Sequence, residues 1–496
     1  MIGHLQIAGG DIMNHKLDRR VFLQSASALP LLTLGSQAFS LQDNLSLAPR
    51  KKAPAVVRGA FFYPPAEVVL KGEFEDGWAK EKWSTWPGNQ FEPEAQQQKF
   101  MTKLGEITSG LDIDLQMDEK AIYTNAGIEA FQNEVTSKQP DALLLFNFWN
   151  TISSKLFPLL DAFDGPIILY HPVGANHQLP PQHFMTAPKV QYIHSIENWD
   201  ALERGLKCVH AFSRMSKSRL LRIAGRTESE NNYTDPLFGT AVREIPASEF
   251  NDLFDQVDVS PAMKRMAQSV RDNASHVHDL DEKAFADAVR SHAAVIEMIN
   301  THDADAITIE CLFLKHRKPC LSFAVNNGDL IPCGCENDYN ASFSLMLGSN
   351  LFGIGGFQHN PEFDTEENLY FASHCTCTPK LHGANKQSKP YSLRPFFHQM
   401  PNTLALDVIW TPKETVTLFK YNSKDQQVNA WQGEVIESPQ SPPTGGCATR
   451  VLVKMKDVED VCSIYPGPHP ILYSGNFVRQ AKTFADLYGL EVRTNA

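Results

Sequence analysis

Carboxylates, imidazoles and thiols, the side chains that hold metal ions, gather in the last third of this 496-residue chain. Cys335-Glu336-Asn337-Asp338 is followed by Phe357-Gln358-His359 and by Ser373-His374-Cys375-Thr376. After a long interval it is answered by Gly467-Pro468-His469. Carboxylate oxygen and imidazole nitrogen are common donors to divalent cations, and a cation so held polarises carbonyl and hydroxyl oxygens. Each residue alone has a plain structural use. An acid at a helix start is favoured by the helix dipole, and a buried histidine is commonly satisfied by backbone partners. Together they make a ligand set: Glu336, His359, His374 and His469. Glu336 and His359 are also candidate proton-transfer groups, while Asp338 reads as an acid that caps the helix or orients a ligand.

Other chemistry is less well supported. Cys333-x-Cys335 and Cys375-x-Cys377 have C-x-C spacing, whereas zinc sites use C-x-x-C, so buried thiols beside the functional site are the better reading. Gly353-Ile354-Gly355-Gly356 follows a predicted helix and does not open one after a strand, so it is no dinucleotide fingerprint. No Gly-x-Ser-x-Gly elbow or Walker A loop is present. His171 and His177 follow a predicted buried strand, where loops often line ligand sites. Arg394, in Tyr391-Ser392-Leu393-Arg394, is a candidate for orienting a polar substrate, with a salt bridge as the plainer use. These three are the substrate-binding candidates.

The elements that must position these residues begin after an export segment. Arg19-Arg20-Val21-Phe22-Leu23 within Lys16–Gln24, a weakly apolar run to Leu34 and small residues near Ala38 read as a twin-arginine signal over 1–40. Asp18 and Gln24 depart from its usual residues. The run is too short to span a bilayer, and the signal predicts a periplasmic protein translocated already folded. Roughly 455 residues remain, enough for two to four domains. A net charge of -12 argues against a nucleic-acid partner. No later apolar stretch reaches membrane-spanning length. All nine cysteines lie at Cys208 or later, and an odd number cannot pair completely.

From Val56 short apolar runs alternate with longer amphipathic ones, as in an α/β protein. Val56–Phe62, Ala142–Phe146 and Pro166–Tyr170 are predicted strands, with a crossover helix over Ile152–Phe163. A second unit follows: helix Ala201–Met215, strand Arg219–Ala224, helix Glu282–Asn300, strands Asp305–Ile309 and Pro319–Phe323, and a helix over Glu336–Leu347. The final third changes to closely spaced strands, Leu404–Trp410, Thr415–Phe419, Trp431–Ile436 and Arg450–Met455, which predict an antiparallel barrel or sandwich. Ile471–Gly475 and an amphipathic helix, Phe477–Tyr488, close the chain.

With these residues in order, the chain resembles the L-fucose/L-arabinose isomerase-like family. The resemblance rests on Cys335-Glu336-Asn337-Asp338, His374-Cys375-Thr376, Gly446-Cys447-Ala448-Thr449-Arg450 and His469-Pro470-Ile471-Leu472-Tyr473-Ser474-Gly475. It is good from about Asp303 to Val492 and architectural before that. It implies two Rossmann-like domains, here 55–198 and 199–355, and a β-rich barrel-like domain over 356–496. It also implies a small-molecule sugar substrate, a homo-oligomer, and a divalent cation, commonly Mn²⁺, on Glu336 and His469. In the arabinose branch a histidine matching His374 joins the ligands. The family's second acid falls where Phe357-Gln358-His359 stands, with Glu362 or Asp364 as alternative counterparts.

Replacing an acid by His359 makes the donor set richer in nitrogen, which suits Zn, Fe, Co or Ni as well as Mn. The expected activity is aldose–ketose isomerisation through an ene-diol. The alternatives are a non-catalytic periplasmic carbohydrate-binding protein, or a metal-dependent redox or lyase activity on sugars.

Overall fold

The computed structural model describes residues 45–71, 92–173, 179–278, 280–395, 403–439 and 447–495. The twin-arginine segment and His177 lie outside them. The chain is mixed α/β, with two mostly parallel five-stranded sheets and one curled, mostly antiparallel sheet.

The three inner strands of the first sheet are apolar runs buried on both faces, the pattern parallel strands require. Its strands are β1 (Ala55–Phe62), β2 (Ile113–Met117), β3 (Ala142–Asn147), β4 (Ile167–Pro172) and β5 (Val190–Ser195). All pair in parallel in the order β2-β1-β3-β4-β5. The predicted crossover helix runs over Ser153–Ala162 and carries Pro158 inside it.

The second sheet contains β6 (Arg219–Ala224), β7 (Asn231–Thr234), β8 (Ala241–Pro246), β10 (Ala306–Ile309) and β11 (Cys333–Cys335). Their order is β11-β10-β6-β8-β7, with only the edge strand β7 antiparallel. Two sequence expectations are corrected here. Pro319–Phe323 is not a strand: Cys320–Gly328 is a helix buried on nearly every side. An apolar run without polar alternation carries no periodicity to separate the two states. The expected helix over Glu336–Leu347 instead spans Tyr339–Phe352 with Asp338 at its N-cap, so Glu336 stands in the turn before it.

A small sheet joins β9 (His276–Val277), β15 (Tyr391–Pro395) and β16 (Leu404–Val408). The large curled sheet comprises β12 (Phe357–Gln358), β13 (Asn360–Asp364), β14 (Leu369–His374), β17 (Thr415–Asn422), β18 (Gln427–Glu437), β19 (Thr449–Met455) and β20 (Ile471–Ser474), with β21 (Glu491–Thr494) along β18. Apart from β21 its pairings are antiparallel.

One core ties the second sheet to the curled one. Ala306 of β10, Leu345 and Leu347 of the Tyr339–Phe352 helix, Phe419 of β17 and Tyr473 of β20 belong to the same buried cluster. Gly348 allows that helix to lie close on β20, because a Cβ there would collide with the Tyr473 hydroxyl. The helix Trp199–Ser216 bridges the cores. Leu202 and Leu206 pack into the first, while Ala211 and Met215 pack into the second. No helix among the described residues is long and apolar enough to cross a membrane.

Candidate metal centre

Glu336 is placed by a tight turn at the end of β11. The Asp338 N–H donates to the Cys335 carbonyl at 3.2 Å. Glu336 and Asn337, the two central residues, have φ of 61° and 54°. Two left-handed central residues are the mark of a type I′ turn, which normally recruits Gly or Asn. A left-handed Glu has a real conformational cost, and such strain concentrates at functional sites. Several bonds hold the turn. Arg222 Nε donates to Asn337 Oδ1 at 3.0 Å, and Gln358 Oε1 accepts from the Cys335 N–H at 2.8 Å while its Nε2 donates to the Cys335 carbonyl at 3.3 Å.

His374 is the last residue of β14, and His469 sits between two prolines just before β20 with φ of 51°. The ligand atoms of Glu336, His374 and His469 all lie within 4.8 Å of one another. Among the described residues no other group of three or more His, Cys, Asp or Glu does this. His374 Nε2 is 3.7 Å from Glu336 Oε1, and His469 Nε2 is 3.5 Å from Glu336 Oε2. The imidazole rings stand at 84° to each other, 5.8 Å apart. These separations are too long for hydrogen bonds and leave room for an ion between the donors.

Two further observations fit a metal. His374 Nε2 is buried and has no hydrogen-bond partner, an expensive arrangement unless something else engages its lone pair. His469 is oriented from behind: its Nδ1 lies 2.9 Å from Asp338 Oδ2, the carboxylate–histidine arrangement that aims the other ring nitrogen at a metal. Asp338 also accepts from the Ala341 N–H at 2.8 Å, so one acid both caps the helix and aims the histidine. Lys420 anchors the His469 loop, donating to the His469 carbonyl at 3.3 Å and lying 3.9 Å from Asp338.

The charge state agrees with a ligand role. The neighbouring His374 imidazole, the strongest influence, and then the His469 imidazole hold the Glu336 carboxyl below its usual range, against opposing burial. Burial lowers the His374 pKa, favouring the neutral ring that a ligand must present.

His359 does not join the group. It is fully buried; its Nδ1 lies 3.0 Å from the Phe357 carbonyl and its Nε2 is 2.7 Å from the Tyr370 hydroxyl. Both ring nitrogens are engaged, and burial drives its pKa down to about 3. It is a satisfied core histidine. Glu362 and Asp364, the alternative counterparts, lie on β13 away from the group, and Asp364 caps the turn that follows.

The substrate candidates fall elsewhere. His171 is the penultimate residue of β4 in the first sheet, where its Nδ1 lies 2.9 Å from the Tyr192 hydroxyl. Arg394 lies on β15, 3.5 Å from Asp407. The four cysteines of the C-x-C pairs are buried and free, and make no four-thiol site. Sequence reasoning missed Gln358 as the residue that locks the Glu336 turn. Its place between Phe357 and His359 was the only signal.

No family model matches the chain, and no curated protein matches it.

Proposed function

We propose that this chain is a metal-dependent enzyme acting on a sugar or related polyhydroxy compound, with isomerase-like proton transfer through an ene-diol. The observation that carries the reading is the orphaned His374 Nε2 facing Glu336 and an Asp338-oriented His469. A divalent ion bound there supplies Lewis-acid polarisation of two neighbouring substrate oxygens. Glu336, ionised at rest, would accept the proton from one carbon, hold it, and return it to the adjacent carbon; Asp338 keeps His469 in one orientation, and the buried floor around His374 limits water.

One carboxylate with two imidazoles suits Mn²⁺ but equally Zn²⁺, Fe²⁺, Co²⁺ or Ni²⁺. The resemblance to the L-fucose/L-arabinose isomerase-like family supports this reading. It is also supported by two parallel-sheet units followed by a curled antiparallel sheet, which suits two Rossmann-like domains and a barrel-like third. The first sheet's strand order reverses between β1 and β3, a typical ligand-binding switch point. The twin-arginine motif supports a periplasmic location.

A second reading is favoured by one observation: with His359 locked against Tyr370 and Asp338 committed to His469, no second free acid joins Glu336 in the group. A carbohydrate-binding protein that does not turn its ligand over would need none. Deuterium uptake from heavy water separates the two. Metal-loaded protein incubated with a panel of aldoses should produce ketose carrying solvent deuterium, and Glu336→Gln should abolish uptake while still binding sugar. Binding without uptake in the unaltered protein would overturn the enzyme reading.

A further inference from the structure

We propose that a second binding site lies along the free edge of β5 and takes a phosphate group, as inorganic phosphate or as the end of a small phosphomonoester, on Arg204, Arg479 and Lys482. It shares no residue with Glu336, His374 and His469 and does not rest on the metal reading.

The first observation is the strand edge. β5 is the last strand of the first sheet and pairs only with β4. The Ile167 N–H donates to the Lys189 carbonyl at 2.9 Å, and the Val173 N–H donates to the Ser195 carbonyl at 3.1 Å. In a parallel ladder alternate residues face the same neighbour, so Val190, Tyr192 and His194 turn their N–H and C=O groups away from β4. Every residue of Val190–Ser195 borders one cavity of about 390 Å³, a size that suits a small ligand. Consecutive side chains of a strand point to opposite faces. A cavity that touches all of them therefore runs along the edge itself, where the outward N–H groups are. The helices Trp199–Ser216 and Val478–Tyr488 supply its other walls.

The second observation is unpaired charge. Arg204 and Arg479 border the cavity from the two helices, which Gln480 joins by donating from Nε2 to the Arg204 carbonyl at 3.0 Å. Among the described residues no carboxylate lies within ion-pair distance of either guanidinium, and no hydrogen bond engages either. The one carboxylate that borders the cavity, Asp486, stands 4.0 Å from Lys482. Three cations against one carboxylate leave two positive charges, which a phosphomonoester, carrying about -1.5 to -2 at neutral pH, matches. Two guanidinium forks fit phosphate oxygens, and a lysine adds a movable point charge. Burial first, and the Arg479 charge second, hold the Arg204 pKa below its usual range against Cys208 and Asp200. The two arginines therefore repel each other until an anion enters, and an uncharged polyol does nothing to offset that.

Calorimetric titration of the purified protein at low ionic strength, with inorganic phosphate, glycerol 1-phosphate and glycerol, tests this. At least one of the two phosphates should bind and glycerol should not. An ester that binds more tightly than inorganic phosphate identifies a phosphomonoester as the ligand; otherwise the ligand is the free ion. Arg204→Gln and Arg479→Gln should each weaken binding about tenfold or more, and added sodium chloride should weaken it in the unaltered protein. Arg479 is exposed, so its substitution keeps the test readable should Arg204→Gln fail to fold.

His469→Ala separates this site from the metal centre, because phosphate binding should persist there whatever metal analysis finds. Failure of both phosphates to bind, binding that survives the folded arginine variants, or binding lost in His469→Ala would overturn the proposal.

Discussion

Asp338 serves two masters, and substitution can separate them. Asn caps a helix about as well as Asp but offers His469 no charge. Asp338→Asn should therefore keep the Tyr339–Phe352 helix while weakening metal affinity by about 10- to 100-fold, measured by competition with a chromogenic chelator. Unchanged affinity would mean that Asp338 only caps. His359 makes the opposite prediction. His359→Gln should leave the metal content intact yet cost about 1–3 kcal/mol of stability through the Tyr370 hydroxyl and the neighbouring backbone, read as a lowered denaturant midpoint. The sequence shows His359, His374 and His469 as chemically equal candidates. Only the partners that the fold brings in, Tyr370 for one and Glu336 for the others, tell a satisfied core histidine from a ligand, and no local pattern encodes them.

The Glu336 turn depends on its supports at the level of elements. Gln358 pairs with both the N–H and the carbonyl of Cys335 from β12; the carbonyl also accepts from the Asp338 N–H, so Gln358→Leu should leave the buried Cys335 N–H unpaired. The expected cost is about 2 kcal/mol, with metal affinity falling alongside stability. Thermal melting with and without added metal checks this, and a variant that loses stability but binds metal normally would show that the turn stands without Gln358.

Much of the element order was legible, because β1, β3 and β4 are short apolar runs bounded by turn residues and the long helices carry apolar periodicity. Two features were not. Cys320–Gly328 is buried on nearly every side, so its period is silent. A left-handed Glu336-Asn337 pair, in a turn without glycine, reads as helix because Glu and Asp favour a first helical turn.

Across the whole molecule, pH exposes how the buried charges are balanced. Burial pushes the Asp407 carboxyl up to about 6 even with Arg394 and Arg450 beside it. Between the ordinary carboxylate pKa and that value the folded chain holds a proton that the unfolded chain has released. This contribution to stability is therefore greatest at low pH and is lost as pH rises through about 6. Asp407→Asn should gain on the unaltered protein as pH rises from about 5 to about 7, judged by the difference between their melting temperatures. A constant difference would contradict it.

The central claim is that Glu336, His374 and His469 hold one divalent ion, and elemental analysis of the purified protein tests it most directly. The account predicts about one ion per chain, lost in His374→Ala and His469→Ala and retained in His359→Gln. Full metal content in a folded His374→Ala variant, or no metal in the unaltered protein even after reconstitution, would contradict it.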